Sequence, residues 1–232
     1  MKEMKTREKL DEYMRSFQLN KVFPEQLTDY LHLYTFKQGE SICRQGEVAD
    51  YLYVLVEGKI KIYTTSAEGK TLILSFKTPL EMVGDLEYVR EMEILNTVEA
   101  ITDVVMIGVH KRYLHQYAEN YAPFLQFLLE VITKKFYIKN ASMSFNLLYP
   151  VEVRLASYLL SISFDEEDPL FNGESKTINL KDTANLIGTS YRHLNRVIQQ
   201  FCLDGLIERK KGAIVVKNRD GLTNLASRSI YE

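Results

Sequence analysis

Residues 179–198 constrain this chain more than any other stretch: Asn-Leu-Lys-Asp-Thr-Ala-Asn-Leu-Ile-Gly-Thr-Ser-Tyr-Arg-His-Leu-Asn-Arg-Val-Ile. A helix is expected to open at Asn179, whose side chain can cap the free amides, with Asp182 in the reciprocal capping position three residues on. Ala184, Leu186 and Ile187 give that helix its apolar side. Gly188 supplies a tight turn, and Thr189 or Ser190 caps a second helix that starts at Tyr191. Leu194, Val197, Ile198 and Phe201 recur at helical spacing and should face inward, which leaves Tyr191, Arg192, Asn195 and Arg196 pointing out. Two helices joined by a short glycine turn, the second with arginines on its exposed face, form the arrangement that enters a DNA major groove.

The residues that follow strengthen this reading against an ordinary helical hairpin. Leu206-Ile207 and Ile214-Val215-Val216 read as two short strands, with Lys210, Lys211 and Gly212 at the tip between them. Such a tip is a basic wing that can meet phosphates. Between Lys176 and Arg219, lysine or arginine stands at 176, 181, 192, 196, 209, 210, 211, 217 and 219, against only Asp182, Asp204 and Glu208. The whole chain carries a net charge of -2, so positive charge is concentrated in one segment, as phosphate binding requires. The expected base contacts are Tyr191, Arg192, Asn195 and Arg196, and the expected phosphate contacts are Lys181, Thr189, Ser190, Lys210 and Lys211. Double-stranded DNA is the expected partner.

With 232 residues, the chain can form two modest domains, each with its own core. No apolar run approaches a membrane span, and the charged N-terminus lacks the apolar core of a secretory signal, so a cytoplasmic location is expected. Cys43 and Cys202 are too few for an iron–sulfur cluster and argue against a disulfide framework. No nucleophile–base pair or metal-ligand motif occurs at a plausible spacing, so catalytic and metal sites are not expected.

Between Leu31 and Val109, residues alternate with period two, broken by glycines. Tyr51–Glu57 reads as a strand, Gly58 as a turn, and Lys59–Tyr63 as a second strand with Lys59 and Lys61 outward. Another turn at Ala67–Lys70 leads into Thr71–Phe76, and Val98–Val109 reads as a last strand region. Short strands with turn signals about every 8–12 residues predict an antiparallel sandwich or jelly roll. From Ala122 to about Asn146 only Pro123, tolerated in a first turn, interrupts a long helix. Leu125, Leu128, Leu129, Ile132, Phe136 and Met143 form one apolar stripe, and Phe124, Phe127, Val131, Ile138 and Phe145 a second. Two stripes offer more apolar surface than docking on one domain needs, so the helix is either wrapped within one globule or shared with a second copy. Leu147–Pro150 breaks it as a hinge, Val151–Ser163 forms a further helix, and Asp165–Pro169 is read as a solvated acidic loop.

Gln45-Gly46-Glu47-x-Ala49, the aromatic-rich strand after it and Glu57-Gly58-Lys59-Ile60 resemble the cyclic-nucleotide-binding β-roll. With the C-terminal winged helix, the chain resembles the CRP/FNR family of bacterial transcription regulators over roughly residues 30–220, and Gly188–Leu194 is close to its YeiL-type branch. The resemblance implies an α+β chain: an N-terminal helical segment (1–28), a β-roll sensor (29–119), a dimerisation helix and hinge (120–148) and a winged helix-turn-helix (149–232). It implies a homodimer on an inverted-repeat operator, with Leu125, Leu128, Ile132 and Phe136 in the seam and RNA polymerase as a partner if the protein activates. Lys134, Lys135 and Lys139 weaken a strict heptad. Arg196 is level with the family's guanine-reading arginine, while Arg192 stands where the family usually has a carboxylate.

The resemblance places an effector pocket at Gly84, Asp85, Leu86, Arg90, Ile94 and Leu95. Members that bind cyclic AMP grip its phosphate with an Arg-Ser pair, and counting back from Val98-Glu99-Ala100 puts Ile94-Leu95 at those positions. Glu87, Glu91 and Glu93 add negative charge, Arg90 is the only cation nearby, and the cysteine cluster of the oxygen-sensing branch is absent. A haem would have to use His32, His110 or His115, each an isolated histidine. No cofactor is expected, and cyclic AMP is not the expected effector. The alternatives are a cyclic-nucleotide-gated enzyme, a ligand-binding module, or a protein-interaction adaptor without sequence-specific DNA binding.

Overall fold

A computed structural model describes residues 2–4, 6–69, 71–162, 179–210 and 213–226. The expected acidic loop, the last residue expected in the helix before it (Ser163), and the wing-tip residues Lys211 and Gly212 lie outside the described residues. The chain divides into two compact units, Met1–Lys135 and Phe136–Glu232. Among the described residues, no helix is long and apolar enough to cross a membrane.

The first unit is built on two antiparallel sheets. Its strands are β1 (Lys2–Met4), β2 (His32–Phe36), β3 (Ser41–Cys43), β4 (Tyr51–Glu57), β5 (Ile60–Thr65), β6 (Thr71–Lys77), β7 (Glu81–Val83), β8 (Thr97–Ala100) and β9 (Val104–His110). One sheet runs β1-β2-β9-β4-β7 and the other β3-β8-β5-β6. Tyr34, Phe36, Tyr53, Leu55, Val104 and Met106 of the five-stranded sheet meet Ile42, Ile60, Val98 and Ala100 of the other in one core. On its opposite face, Leu33, Leu52, Val54, Val56, Ile107 and Val109 pack against helices. These helices are α1 (Arg7–Ser16), α2 (Asp85–Arg90), α3 (Lys111–Tyr117) and the start of α4 (Ala122–Leu148), with short 3-10 turns at Leu19–Lys21 and Glu25–Tyr30. A sheet covered on both faces has no need of polar alternation, which is why Leu52–Val56 is apolar throughout.

Two sequence expectations are corrected here. The segment 1–28 is not purely helical, because Lys2–Met4 adds an edge strand paired with β2. Three mostly charged residues carry too little pattern to mark it. The region Val98–Val109 is two strands, β8 and β9, which go to different sheets across the turn at 101–103.

The long helix is continuous from Ala122 to Leu148. Phe124 and Leu128 are buried in the first unit's core, with Phe127, Val131 and Ile132 partly buried against it. Each fully buried large apolar side chain contributes roughly 1.5–3 kcal/mol. Leu125, Leu129, Phe136 and Met143 are exposed, Phe136 at 73% and Leu129 at 62%. Leu128, expected in a dimer seam, is therefore a core residue, since it lies one turn after Phe124 on the same face.

In the second unit, α5 (Val151–Ile162), α6 (Leu180–Leu186), α7 (Tyr191–Leu203), β10 (Ile207–Lys210), β11 (Ala213–Val216) and α8 (Arg219–Leu225) enclose a separate core. Leu155, Leu159, Ile187, Leu194, Ile198, Phe201 and Leu222 are buried at its centre.

The β4–β5 turn makes the sharpest demand on one residue. Gly58 has φ +88°, and a Cβ there would press on the Asp103 carbonyl oxygen. Gly58→Ala is expected to lower unfolding free energy by about 1–3 kcal/mol, measurable by thermal or urea denaturation.

Candidate nucleic-acid interface

Asn179 caps α6 through its side-chain oxygen, which accepts from the amides of Lys181 at 3.1 Å and Asp182 at 3.2 Å. Gly188, at φ +66°, ends that helix, and the Thr189 amide reaches back to the Ala184 carbonyl at 2.9 Å. This left-handed residue with a long backward bond is the glycine stop that turns the chain sharply. Ser190 then caps α7, its hydroxyl oxygen accepting from the His193 amide at 3.1 Å. Leu194, Val197, Ile198 and Phe201 face the core as their spacing demands.

Arg154 was not singled out in the sequence. It lies 8% exposed on α5, and its guanidinium donates to the Ile187 and Gly188 carbonyls. A cation at the carbonyl end of α6 answers the negative end of the helix dipole and holds the turn between the two helices. Asn146 of α4 lies 3.9 Å from where a Gly188 Cβ would sit. An arginine among apolar positions of a helix was the available signal, legible only once its target carbonyls are known.

On the outward side of α7, Tyr191, Arg192 and Arg196 are exposed, Tyr191 at 53%. Asn195 is more committed: its amide nitrogen donates to the Tyr191 carbonyl at 3.0 Å, and its oxygen receives Arg209 of β10 at 3.4 Å. That contact ties the wing strand to the helix. Lys181 and Ser190 are exposed, and Thr189 is partly buried. Lys210 lies at the end of β10 opposite Ala213, its ammonium 3.0 Å from Glu208. Hydrogen bonding to Lys210 holds the Glu208 carboxyl below the usual carboxylate range. An exposed pair of this kind is weak and gives way readily to a phosphate.

The effector segment is arranged differently from expectation. Gly84 has φ +90°, and a Cβ would sit 2.6 Å from the Tyr51 carbonyl oxygen, so the position suits glycine alone. Asp85 and Ile94 are buried, while Leu86, Arg90 and Leu95 are exposed. Glu87 is buried and accepts from the Leu95 amide at 2.9 Å, so its charge is spent on the backbone. A cleft of about 330 Å³ nearby is lined by Val48, Ala49, Tyr88, Glu91, Met92, Glu93, Lys111 and His115, and by none of the six expected pocket residues. Of the histidines, His110 caps α3, accepting from the Arg112 amide, the His115 ring lies tilted 5.0 Å from that of Tyr88, and His32 lies 3.2 Å from Glu3.

Residues 33–121 match the cyclic nucleotide-binding domain family, and residues 153–225 match the Crp-like helix-turn-helix domain family. The chain belongs to the CRP/FNR family of transcription regulators. Members of the CRP/FNR family bind DNA and are not enzymes. The chain is 28% identical to regulatory protein YeiL of Escherichia coli O157:H7, over 84% of its length and 85% of the relative. It is 22% identical to a CRP-like cAMP-activated global transcriptional regulator of Mycobacterium tuberculosis, over 86% of its length and 90% of the relative. The c-di-GMP-responsive regulator CLP of Xanthomonas campestris shares the CRP/FNR fold at a TM-score of 0.72, with 19% identity, over 85% of this chain and 98% of that one.

Cys43 borders the effector segment and tests whether a thiol signals there. Burial pushes its thiol up to about 12 from an ordinary 9.0, with Glu87 adding to the rise. At neutral pH its thiolate fraction is then about a thousandfold below that of an ordinary cysteine. Iodoacetamide at pH 7.5 followed by mass spectrometry should leave Cys43 unmodified in the folded protein and alkylate it in urea.

Proposed function

We propose that this protein is a homodimeric, sequence-specific regulator that reads an inverted repeat in the cytoplasm. The observation that carries this reading is the recognition helix: Leu194, Val197, Ile198 and Phe201 fix its inner face, while Tyr191, Arg192 and Arg196 stand free outside. The functional division runs as N-terminal lead (1–28), sensor (29–119), seam and hinge (120–148) and reader (149–232). If it activates, RNA polymerase is its partner.

Arg196 stands four residues, one turn, beyond Arg192. A guanidinium can bond a guanine edge at two points, a contact worth roughly 1–3 kcal/mol of discrimination. Arg192 replaces the carboxylate that the family usually carries, so the half-site departs from the family consensus toward guanine. Ser190, Lys181, Thr189, Lys210 and Lys211 serve the phosphates, and Asn195 supports the helix and wing before it supports base reading.

The seam is Leu125, Ile132 and Phe136, with Leu129 beside them. Leu125, Leu129 and Phe136, at 41%, 62% and 73% exposure, recur along one side of the helix and call for a partner surface. The recognition helices of the dimer then lie roughly 34 Å apart, one turn of DNA.

Selection from a random DNA pool should recover an inverted repeat. Arg196→Ala should relax preference at one base pair per half-site, whereas Lys210→Ala should weaken all sequences evenly and shallow the salt dependence by about one unit of slope. An unchanged selected motif with Arg196→Ala would remove it as a base reader. In sedimentation, Phe136→Glu should convert dimers to monomers that bind the repeat weakly, and a wild type that is monomeric at micromolar concentration yet tight on DNA would refute the seam.

A further inference from the structure

Segment 84–95 closes on charges that the chain itself supplies. The Lys135 ammonium donates to the Met82 carbonyl at 2.6 Å and to both oxygens of Asp85 at 3.0 Å, and it lies 2.8 Å from Glu81. Glu81 is also held by Lys77 at 3.2 Å. Asp85 is 3% exposed and Glu81 8%. An ammonium has three donors and no acceptor, so these oxygens use it fully. At the far end of the segment, Glu87 takes the Leu95 amide, the Glu47 carbonyl takes the Ile94 amide at 2.9 Å, and the Gly46 amide donates to the Ile94 carbonyl at 2.8 Å. Both peptide amides at the positions where the phosphate clamp is expected are therefore already bonded within the chain.

The placement of Lys135 follows from helix geometry. Phe124, Leu128, Val131 and Lys135 recur at i, i+4, i+7 and i+11, one face of a helix. That face is the one buried on the sheet, so Lys135 prolongs a core stripe and reaches the effector segment.

We propose that the protein is self-liganded: Lys135 locks the long helix to the effector segment in place of a small-molecule effector, and the operator is bound without one. The inference rests on the DNA-reading function proposed above. A buried ion pair adds little net stability over an apolar substitute, but losing one member strands the other's charge in a dry site, so the network acts chiefly as a lock on geometry. An anion approaching the segment would meet Asp85 and Glu81. A cation would have to displace an ammonium already tethered at high effective concentration.

The test uses the full-length chain, purified natively and also refolded from guanidinium to strip bound small molecules, with the operator selected by the native protein. Refolded wild type should bind that operator as tightly as native protein, and added cyclic AMP, cyclic GMP or cyclic di-GMP should change affinity by less than about twofold. Lys135→Met should weaken binding roughly tenfold and speed amide hydrogen exchange across residues 122–135, and Lys135→Arg should restore most of both. Refolded protein that binds only after a small-molecule extract is returned would overturn the proposal. So would a folded Lys135→Met variant with unchanged exchange and affinity. If neither native nor refolded protein selects any sequence while Lys135→Met still speeds exchange, the DNA-reading function fails, and effector-free operator binding fails with it.

Discussion

Everything in the first unit depends on the five-stranded sheet being dry on both sides. One face is closed by the four-stranded sheet and the other by helices, and the run Leu52–Val56 has no residue to spare for water. That requirement seats Phe124 and Leu128 against the sheet, and seating them fixes the rotation of the long helix about its axis. Successive residues turn by about 100°, so the helix cannot present Phe124 inward without presenting Leu125, Leu129 and Phe136 to the side. The exposed apolar stripe is thus a geometric consequence of how the sheet is covered.

The second unit solves a different problem with little material. A sharp bend between two short helices leaves carbonyls pointing into a small core, where unpaired polar groups are expensive. Gly188 supplies the backbone conformation, the Thr189 amide closes one carbonyl, and the buried Arg154 guanidinium closes two more. Local sequence determines the first two. The third comes from a residue more than thirty positions upstream.

Local chemistry explains what was legible in the sequence. Asn179, Gly188 and Ser190 act within four residues of themselves, and the apolar spacing of Leu194, Val197, Ile198 and Phe201 is set by one helical period, so both helices were readable. The glycines around Tyr51–Tyr63 marked the β-roll in the same way. What escaped reading was long-range. The edge strand Lys2–Met4 exists only because β2 offers a free edge, and Leu128 moved from seam to core because two stripes on one helix cannot be assigned to partners without knowing which surface is dry. Counting from Val98 placed Ile94-Leu95 where an Arg-Ser pair was sought, but the ammonium that meets Asp85 and Glu81 comes from residue 135, which in sequence only looked like a flaw in a heptad.

The recognition helix separates the residues that make it a helix from those that face outward. Ser190 starts it and four apolar residues anchor it, while Tyr191, Arg192 and Arg196 are exposed and take no part in the core. Substitutions at these three positions are therefore nearly free of any folding penalty. Lineages can exchange them one at a time without passing through an unstable ancestor, so the outward face of this helix can diverge much faster than the architecture beneath it.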